Sequence, residues 1–177
     1  ASTRPRTGPT AHYVDKLPHN FLYLGAIANA LPNAKIVCLR RDPRDTCLGN
    51  FRQLFAPASP FHDYSYDLLD IGRYHVLFDQ LMAHWHRTMP GRIFEMDYES
   101  MVGAQETSTR ELLRFCGLPW DDACLHFEDN PSAAATASSI QVREPMHRGA
   151  VARWQRFEAE LEPLLALLTR AGLVHDR

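Results

Sequence analysis

The 177-residue chain contains no apolar run long enough to cross a bilayer. Its opening, ASTRPRTGPTAHY, lacks the basic, apolar and small-residue plan of a secretory signal. Charge of one sign is missing too: 19 Lys and Arg against 21 Asp and Glu leave a net charge of −2. That balance argues against a general field for nucleic acid or an anionic membrane, so local basic clusters must be read as sites. Cysteine pairs are absent as well. Cys38, Cys47, Cys116 and Cys124 form no CxxC spacing, which excludes a recognisable zinc site or disulfide framework. Scattered thiols of this kind fit a reduced, cytoplasmic protein. No internal repeat is present, and the length suits one domain with a single core.

What is present is an alternation of helix-like and strand-like segments. Residues 1–12 read as a flexible polar lead-in, with the domain running over 13–177. Apolar residues at helical spacing predict a helix over His19–Leu31 (Phe21, Leu24, Ile27, Ala28, Leu31). Lys35–Leu39 reads as a buried strand, Pro43–Phe55 as a helix, Ala56–Tyr66 as an ordered surface loop or lid, and Leu68–Met89 as a long helix stopped by Pro90-Gly91. A second strand is expected over Arg92–Tyr98. Helices follow over Thr107–Cys116 and, more briefly, Asp121–Phe127, and after a small-residue loop at Asn130–Ser139 a closing helix runs over Val151–Ala171. Strands separated by helices imply an α/β layered domain with a parallel sheet. Two strands alone make a poor sheet.

The stretch from Lys35 to Asn50, KIVCLRRDPRDTCLGN, carries the most chemistry. An apolar strand ends in Arg40, Arg41 and Asp42, and Pro43 stands at the first helical position. Guanidiniums at a strand end, with a helix N-terminus beside them, are suited to a phosphate. The helix end offers N–H groups, and arginine offers a planar fork matched to phosphate oxygens. A structural ion-pair network among Asp42, Asp45 and the arginines is the competing reading, and the two are compatible because Asp42 can orient Arg41.

This run resembles the 3′-phosphate-binding strand and helix of sulfotransferases that use phosphoadenosine phosphosulfate (PAPS). Four further segments stand in the matching order: VDKLPHNFLYLG at Val14–Gly25, DYESMV at Asp97–Val102, GLPW at Gly117–Trp120 and SIQVREPMHRGAVARW at Ser139–Trp154. Together they resemble the bacterial sulfotransferases often fused to tetratricopeptide repeats, which are similar to tyrosylprotein sulfotransferases. The resemblance implies a P-loop-NTPase-like three-layer fold with a parallel sheet. In the family a central strand and its phosphosulfate loop lie upstream of the segments matched here. RPRTGPT at Arg4–Thr10 has similar letters, but it neither follows an apolar strand nor opens a helix. The expectation is therefore the C-terminal portion of a sulfotransferase domain, incomplete at its N-terminus and inactive alone.

Carried over motif by motif, the resemblance makes Lys16 the catalytic candidate, reaching the phosphosulfate and stabilising the leaving oxygen. Arg41 would grip the 3′-phosphate, with Arg40 and Arg44 as neighbours of unseparated role. Tyr98 would lie near the nucleotide and Ser138, or Ser139 beside it, near the phosphosulfate. Arg148 would contact the phosphate from a loop that closes over it. Arg153 equally suits support of the closing helix, and Trp154 suits packing. The chain departs from the family in three places. Gly49 stands where a serine hydroxyl commonly binds the 3′-phosphate, with Asn50 or a backbone N–H as possible substitutes, and Gly149 and Ala150 stand where two serines are usual. The general base usually lies upstream, and no residue here is assigned to it. His84 and His86 fall on different helix faces and make poor joint metal ligands.

The implied reaction transfers a sulfuryl group from PAPS to a hydroxyl or amine, with no metal and no nucleic-acid or membrane partner. The acceptor is unidentified, with His62, Phe61 and Tyr64 as candidate pocket residues. A non-catalytic interaction domain is the alternative from another class, suggested by the missing serines. A nucleotide or small-molecule kinase is a second, since the families share architecture, although no GKS or GKT loop occurs. A sheet short of its central strand would expose edges, so a homodimer is also expected.

Overall fold

The computed structural model describes residues 11–55, 61–130 and 143–174. The chain divides after Ala34 into two compact units. In the first, Pro18 opens a 3-10 helix over Pro18–Tyr23, which passes into helix α1, Leu24–Ala30. The sequence periodicity predicted one continuous helix there. The structure tightens its first half, because Pro18 at the first helical position fixes the entry and no side chain caps it.

The second unit starts with strand β1, Ile36–Arg40, followed by helix α2, Pro43–Phe51. Helix α3 spans Leu68–Thr88 and strand β2 spans Ile93–Asp97. β1 and β2 pair in parallel, with Ile36 opposite Ile93 and Arg40 opposite Asp97. The crossover between them contains α3, the expected βαβ connection. Helix α4, Tyr98–Gly103, begins at the residue after β2 with no loop between them, and α5 follows over Gln105–Cys116. Gly117 ends α5 in the left-handed region (φ 71°), where its own N–H and that of Leu118 reach back to the carbonyls of Arg114 and Leu113. Helix α6 covers Glu162–Arg170.

Asp67 caps α3 by accepting from the N–H groups of Leu69 and Asp70, both at 2.9 Å. The core of this unit gathers Cys47 and Leu48 from α2, Ile71 from α3, Trp154, and Leu161, Leu164, Leu168 and Val174 around α6. α3 and α6 cross closely at Gly72: a Cβ there would lie 2.7 Å from Leu164 Cδ1. The second face of the sheet is less covered. Phe94 stacks on Phe115 of α5 with ring centroids 5.1 Å apart, while Val37 and Leu39 of β1 are exposed.

The closing helix expected over Val151–Ala171 is two pieces. A 3-10 turn covers Arg153–Phe157, and the α-helix starts only at Glu162. Ala152 sits in the left-handed region (φ 55°), which breaks the helical path before Arg153. Pro163 is accommodated because it falls in the first turn of α6. α2 likewise stops at Phe51, short of the expected Phe55. The small-residue loop expected at Asn130–Ser139 lies, apart from Asn130, outside the described residues, as do Ala56–Pro60 of the expected lid. What is described of the lid includes a 3-10 turn over Asp63–Tyr66. The parallel sheet and its helical crossover agree with an α/β sulfotransferase-type fold.

Candidate functional site at the end of strand β1

The chain leaves β1 through Arg41 and Asp42 and enters α2 at Pro43. Asp42 is the N-cap: its Oδ1 accepts from Arg44 N–H (2.8 Å) and, more weakly, from Asp45 N–H (3.4 Å). It also receives the Arg44 guanidinium, Nε at 3.0 Å and Nη2 at 2.6 Å. Burial works against its charge, but the hydrogen bonds and charge of Arg44 and the capped N–H groups outweigh that, so its pKa is held below the ordinary carboxylate value. The backbone N–H of Asp42 donates to Glu99 Oε1 of α4 at 3.0 Å. The helix end that the sequence suggested as an open anion site is thus capped by the chain's own carboxylate. Any phosphate held here would rest on side-chain guanidinium.

Arg40 and Arg41 face different surroundings. Arg40 shares its face of the strand with Cys38 and, across the register, Glu95. Its guanidinium pairs with Asp79 of α3, lies 3.5 Å from Glu95 Oε1, and stands 5.3 Å from the Phe78 ring. Burial opposes this charge, yet the Asp79 hydrogen bond and the two carboxylate charges raise its pKa. The structure commits Arg40 to internal pairing. Beneath it, His75 is buried, and its pKa falls to about 4, first through burial and then through the Arg40 charge.

Arg41 turns the other way. Its Nη2 donates to the carbonyl of Ala150 and lies 3.6 Å from Asp45 Oδ2, and its guanidinium stands 5.3 Å from the Tyr98 ring. Its Nε is buried and has no hydrogen-bond partner among the described residues. A Cβ at Gly49 would be 3.9 Å from Nη1, so position 49 opens toward the guanidinium in ordinary contact range. Asp45 and Gly49, one turn apart on α2, therefore both face the Arg41 guanidinium. Arg148 is exposed in the 3-10 turn Arg148–Ala150, and its Nη2 would lie 3.7 Å from a Cβ at Gly103, the end of α4.

Of the residues expected from sequence, Arg41, Gly49 and Tyr98, with Ala150, converge on this corner, whereas the Arg148 guanidinium lies toward Gly103 at the other end of α4. Arg44 lies over the Trp154 ring at 4.0 Å. Asn50 looks elsewhere, donating to Tyr64 Oη at 3.5 Å, and Arg153 is exposed. Lys16 is exposed in a stretch of the first unit without regular secondary structure. Ser138 and Ser139 lie outside the described residues. Tyr64, expected as a pocket wall, stacks on Tyr74 with centroids 3.9 Å apart and packs against the core, and His62 stacks on Phe55 at 4.1 Å. Phe61 is exposed. Burial raises the thiol pKa of Cys38 to about 11 and of Cys47 to about 12, which favours the protonated thiol at neutral pH. Among the described residues, no group of three or more His, Cys, Asp or Glu side chains could hold a metal ion, and no helix is long and apolar enough to cross a membrane.

Two residues of this corner had gone unassigned. Glu99 holds the Asp42 backbone. Asp45, named from sequence only as a possible ion-pair partner, is 1% exposed, and its Oδ1 accepts from Trp154 N–H at 2.8 Å. A carboxylate four residues after Arg41, on the helix face that also carries Gly49, was the available signal for it.

The profile of the sulfotransferase family matches residues 1–122. An uncharacterized protein of Aquifex aeolicus (strain VF5) is 41% identical over 157 residues, 88% of this chain and 20% of that protein. Protein-tyrosine sulfotransferase 1 of Danio rerio is 27% identical over 179 residues, 91% of this chain and 49% of that protein. A protein-tyrosine sulfotransferase of Drosophila melanogaster is 31% identical over 86 residues, 40% of this chain and 17% of that protein. The chain thus spans no more than about half the length of these relatives. With most of the chain matched by the profile and a strand–helix corner of the expected kind, the chain belongs to the sulfotransferase family.

Proposed function

We propose that this chain is the part of a PAPS-dependent sulfotransferase that holds the 3′-phosphate of the donor. Arg41 is the principal contact, Tyr98 lies beside the nucleotide, and Arg148 approaches from the Arg148–Ala150 turn. The observation that carries the reading is the state of Arg41. Its Nε is a buried donor without a partner among the described residues, and the adjoining position is a glycine that leaves space. A buried N–H left unpaired is costly, and a phosphate oxygen would satisfy it with a charge-assisted bond.

In the whole protein, the sulfur–oxygen bond to the leaving phosphate breaks and a bond to the acceptor oxygen or nitrogen forms. The acceptor proton passes to a base outside the residues assigned here, and the electron pair stays on the leaving oxygen of adenosine 3′,5′-bisphosphate. Lys16 supplies positive charge to that oxygen. Such transfers depend on positioning and electrostatic stabilisation. The protein-tyrosine sulfotransferase relatives support a hydroxyl acceptor of phenol type.

Calorimetric titration of adenosine 3′,5′-bisphosphate into the full-length protein tests the reading. Binding is expected in the wild type, with a loss of about 100-fold in Arg41→Ala, the size of a charged hydrogen bond in a part-buried site. A folded wild-type protein that takes up neither the bisphosphate nor PAPS would instead favour a non-catalytic sulfotransferase-like domain, in line with the hydroxyls missing at Gly49, Gly149 and Ala150.

A further inference from the structure

Asp45 is a fully desolvated carboxylate in the first turn of α2, with its two oxygens turned to different parts of the chain. Oδ1 accepts from Trp154 N–H at 2.8 Å. Oδ2 lies 3.6 Å from Arg41 Nη2 and has no hydrogen-bond partner among the described residues. Arg41 Nη2 in turn donates to the carbonyl of Ala150, four residues before Trp154. The carboxylate and the guanidinium therefore grip the same short backbone stretch at two points. Burying an ion pair gains little stability over an apolar pair of similar shape. A charge kept at this depth needs another explanation, and the geometry supplies one.

We infer that Asp45 is the positioning residue for Arg41 and that it couples phosphate binding at Arg41 to the seating of the Ala150–Phe157 segment. The inference rests on the proposed 3′-phosphate role of Arg41. Held between Asp45 and the Ala150 carbonyl through Nη2, the guanidinium plane is fixed, and the Nε N–H is left for a ligand. The same carboxylate holds Trp154 in place, with the Arg44 guanidinium stacked over the Trp154 ring. A phosphate that engages Arg41 thereby stabilises the segment that supplies the Ala150 carbonyl and adjoins Arg148. The ligand class is a nucleotide with a phosphate monoester on its ribose. The effect of Asp45 is confined to that phosphate.

The test compares adenosine 3′,5′-bisphosphate with adenosine 5′-monophosphate, which lacks the 3′-phosphate, on the full-length protein. Asp45→Asn keeps an oxygen for Trp154 N–H but removes the charge facing Arg41. It is expected to weaken the bisphosphate by about tenfold or more, a charged hydrogen-bond effect, and to leave the monophosphate within about twofold. The double variant Arg41→Ala with Asp45→Asn should bind no more weakly than Arg41→Ala alone, because Asp45 acts through Arg41. Hydrogen exchange across residues 150–157 should slow on adding bisphosphate to the wild type and remain unchanged in Arg41→Ala. That measurement tests the coupling to the 150–157 segment even where Asp45→Asn fails to fold.

Asp45→Asn that binds the bisphosphate like wild type, while Arg41→Ala does not, would overturn the role of Asp45 and leave the phosphate site standing. Equal weakening of both nucleotides, or unchanged exchange at 150–157 in the wild type, would also overturn it. Arg41→Ala that binds the bisphosphate normally removes the phosphate site and this inference together.

Discussion

The two sides of the strand end, one around Arg40 and the other around Arg41, are neighbours in sequence and opposites in chemistry. On the Arg40 side two carboxylates, from α3 and β2, surround one guanidinium, an aromatic ring lies against it, and a buried neutral histidine sits below. On the Arg41 side a single buried carboxylate shares its charge with a backbone N–H, and the buried Nε of the guanidinium has no hydrogen-bond partner among the described residues. In the first arrangement the guanidinium is committed to internal carboxylates and stabilises the fold. The second keeps bonding capacity in reserve. A satisfied arginine is a structural part, whereas an incompletely satisfied one beside a glycine can still take up a ligand.

The sharpest way to break this comparison is to exchange the losses. Arg41→Ala should abolish most bisphosphate affinity, by about 3 kcal/mol, and should also lower the melting temperature, because it leaves the buried Asp45 carboxylate without its cation. Arg40→Ala should leave affinity within about twofold but destabilise the protein by about 1–3 kcal/mol, since it strands the Asp79 and Glu95 carboxylates. Calorimetric titration and thermal melts on both variants read the contrast directly, and equal effects of the two variants on affinity would erase it.

The Arg40 side should also govern acid sensitivity. His75 has its pKa depressed from 6.5 to about 4. Its contribution is therefore fully present above pH 6.5 and is lost as the pH falls toward 4, where the unfolded chain binds a proton that the native state refuses. Denaturant titrations across that window should lose on the order of 2–3 kcal/mol, and His75→Leu should flatten the slope. Asp42, with its lowered pKa, adds a loss of the same sign below the ordinary carboxylate range.

A change remote from both arginines gives the control. Gly72→Ala places a methyl 2.7 Å from Leu164 Cδ1, where α3 meets α6. It should lower stability by about 1–3 kcal/mol through overpacking, with bisphosphate affinity per folded molecule unchanged. The smallest expected effect sharpens the Arg41 side. Gly49→Ser fits without overlap and restores a hydroxyl facing the guanidinium, so affinity should rise severalfold, about 1 kcal/mol in titration.

Much of this corner was legible in the sequence. The apolar run Ile36–Leu39 and Pro43 fixed β1 and the start of α2, because both signals are local. The difference between Arg40 and Arg41 was not. Strand alternation puts them on opposite sides, but the carboxylate that saturates Arg40 is Asp79, thirty-nine positions away. α4 escaped notice because Tyr98 completes the β pattern of Ile93–Asp97 and the helix begins without a turn signal. The leucine-rich tail read as one helix because its periodicity runs on through the break. The left-handed conformation of Ala152 accompanies tertiary bonds to Asp45 and Arg41, and alanine announces nothing of the kind. Asp42 was expected to orient Arg41, but it pairs with Arg44 while Asp45 faces Arg41, and its cap removes the N–H groups once expected to be open.

The stacking of Arg44 on Trp154 has a practical side. An indole pressed 4.0 Å beneath a guanidinium, with its backbone tied to the buried carboxylate behind Arg41, sits where light emission responds to small shifts. The protein therefore carries an intrinsic optical gauge of this corner. Replacing Trp85 and Trp120 with phenylalanine would isolate its signal, and occupancy could then be followed in real time without a label.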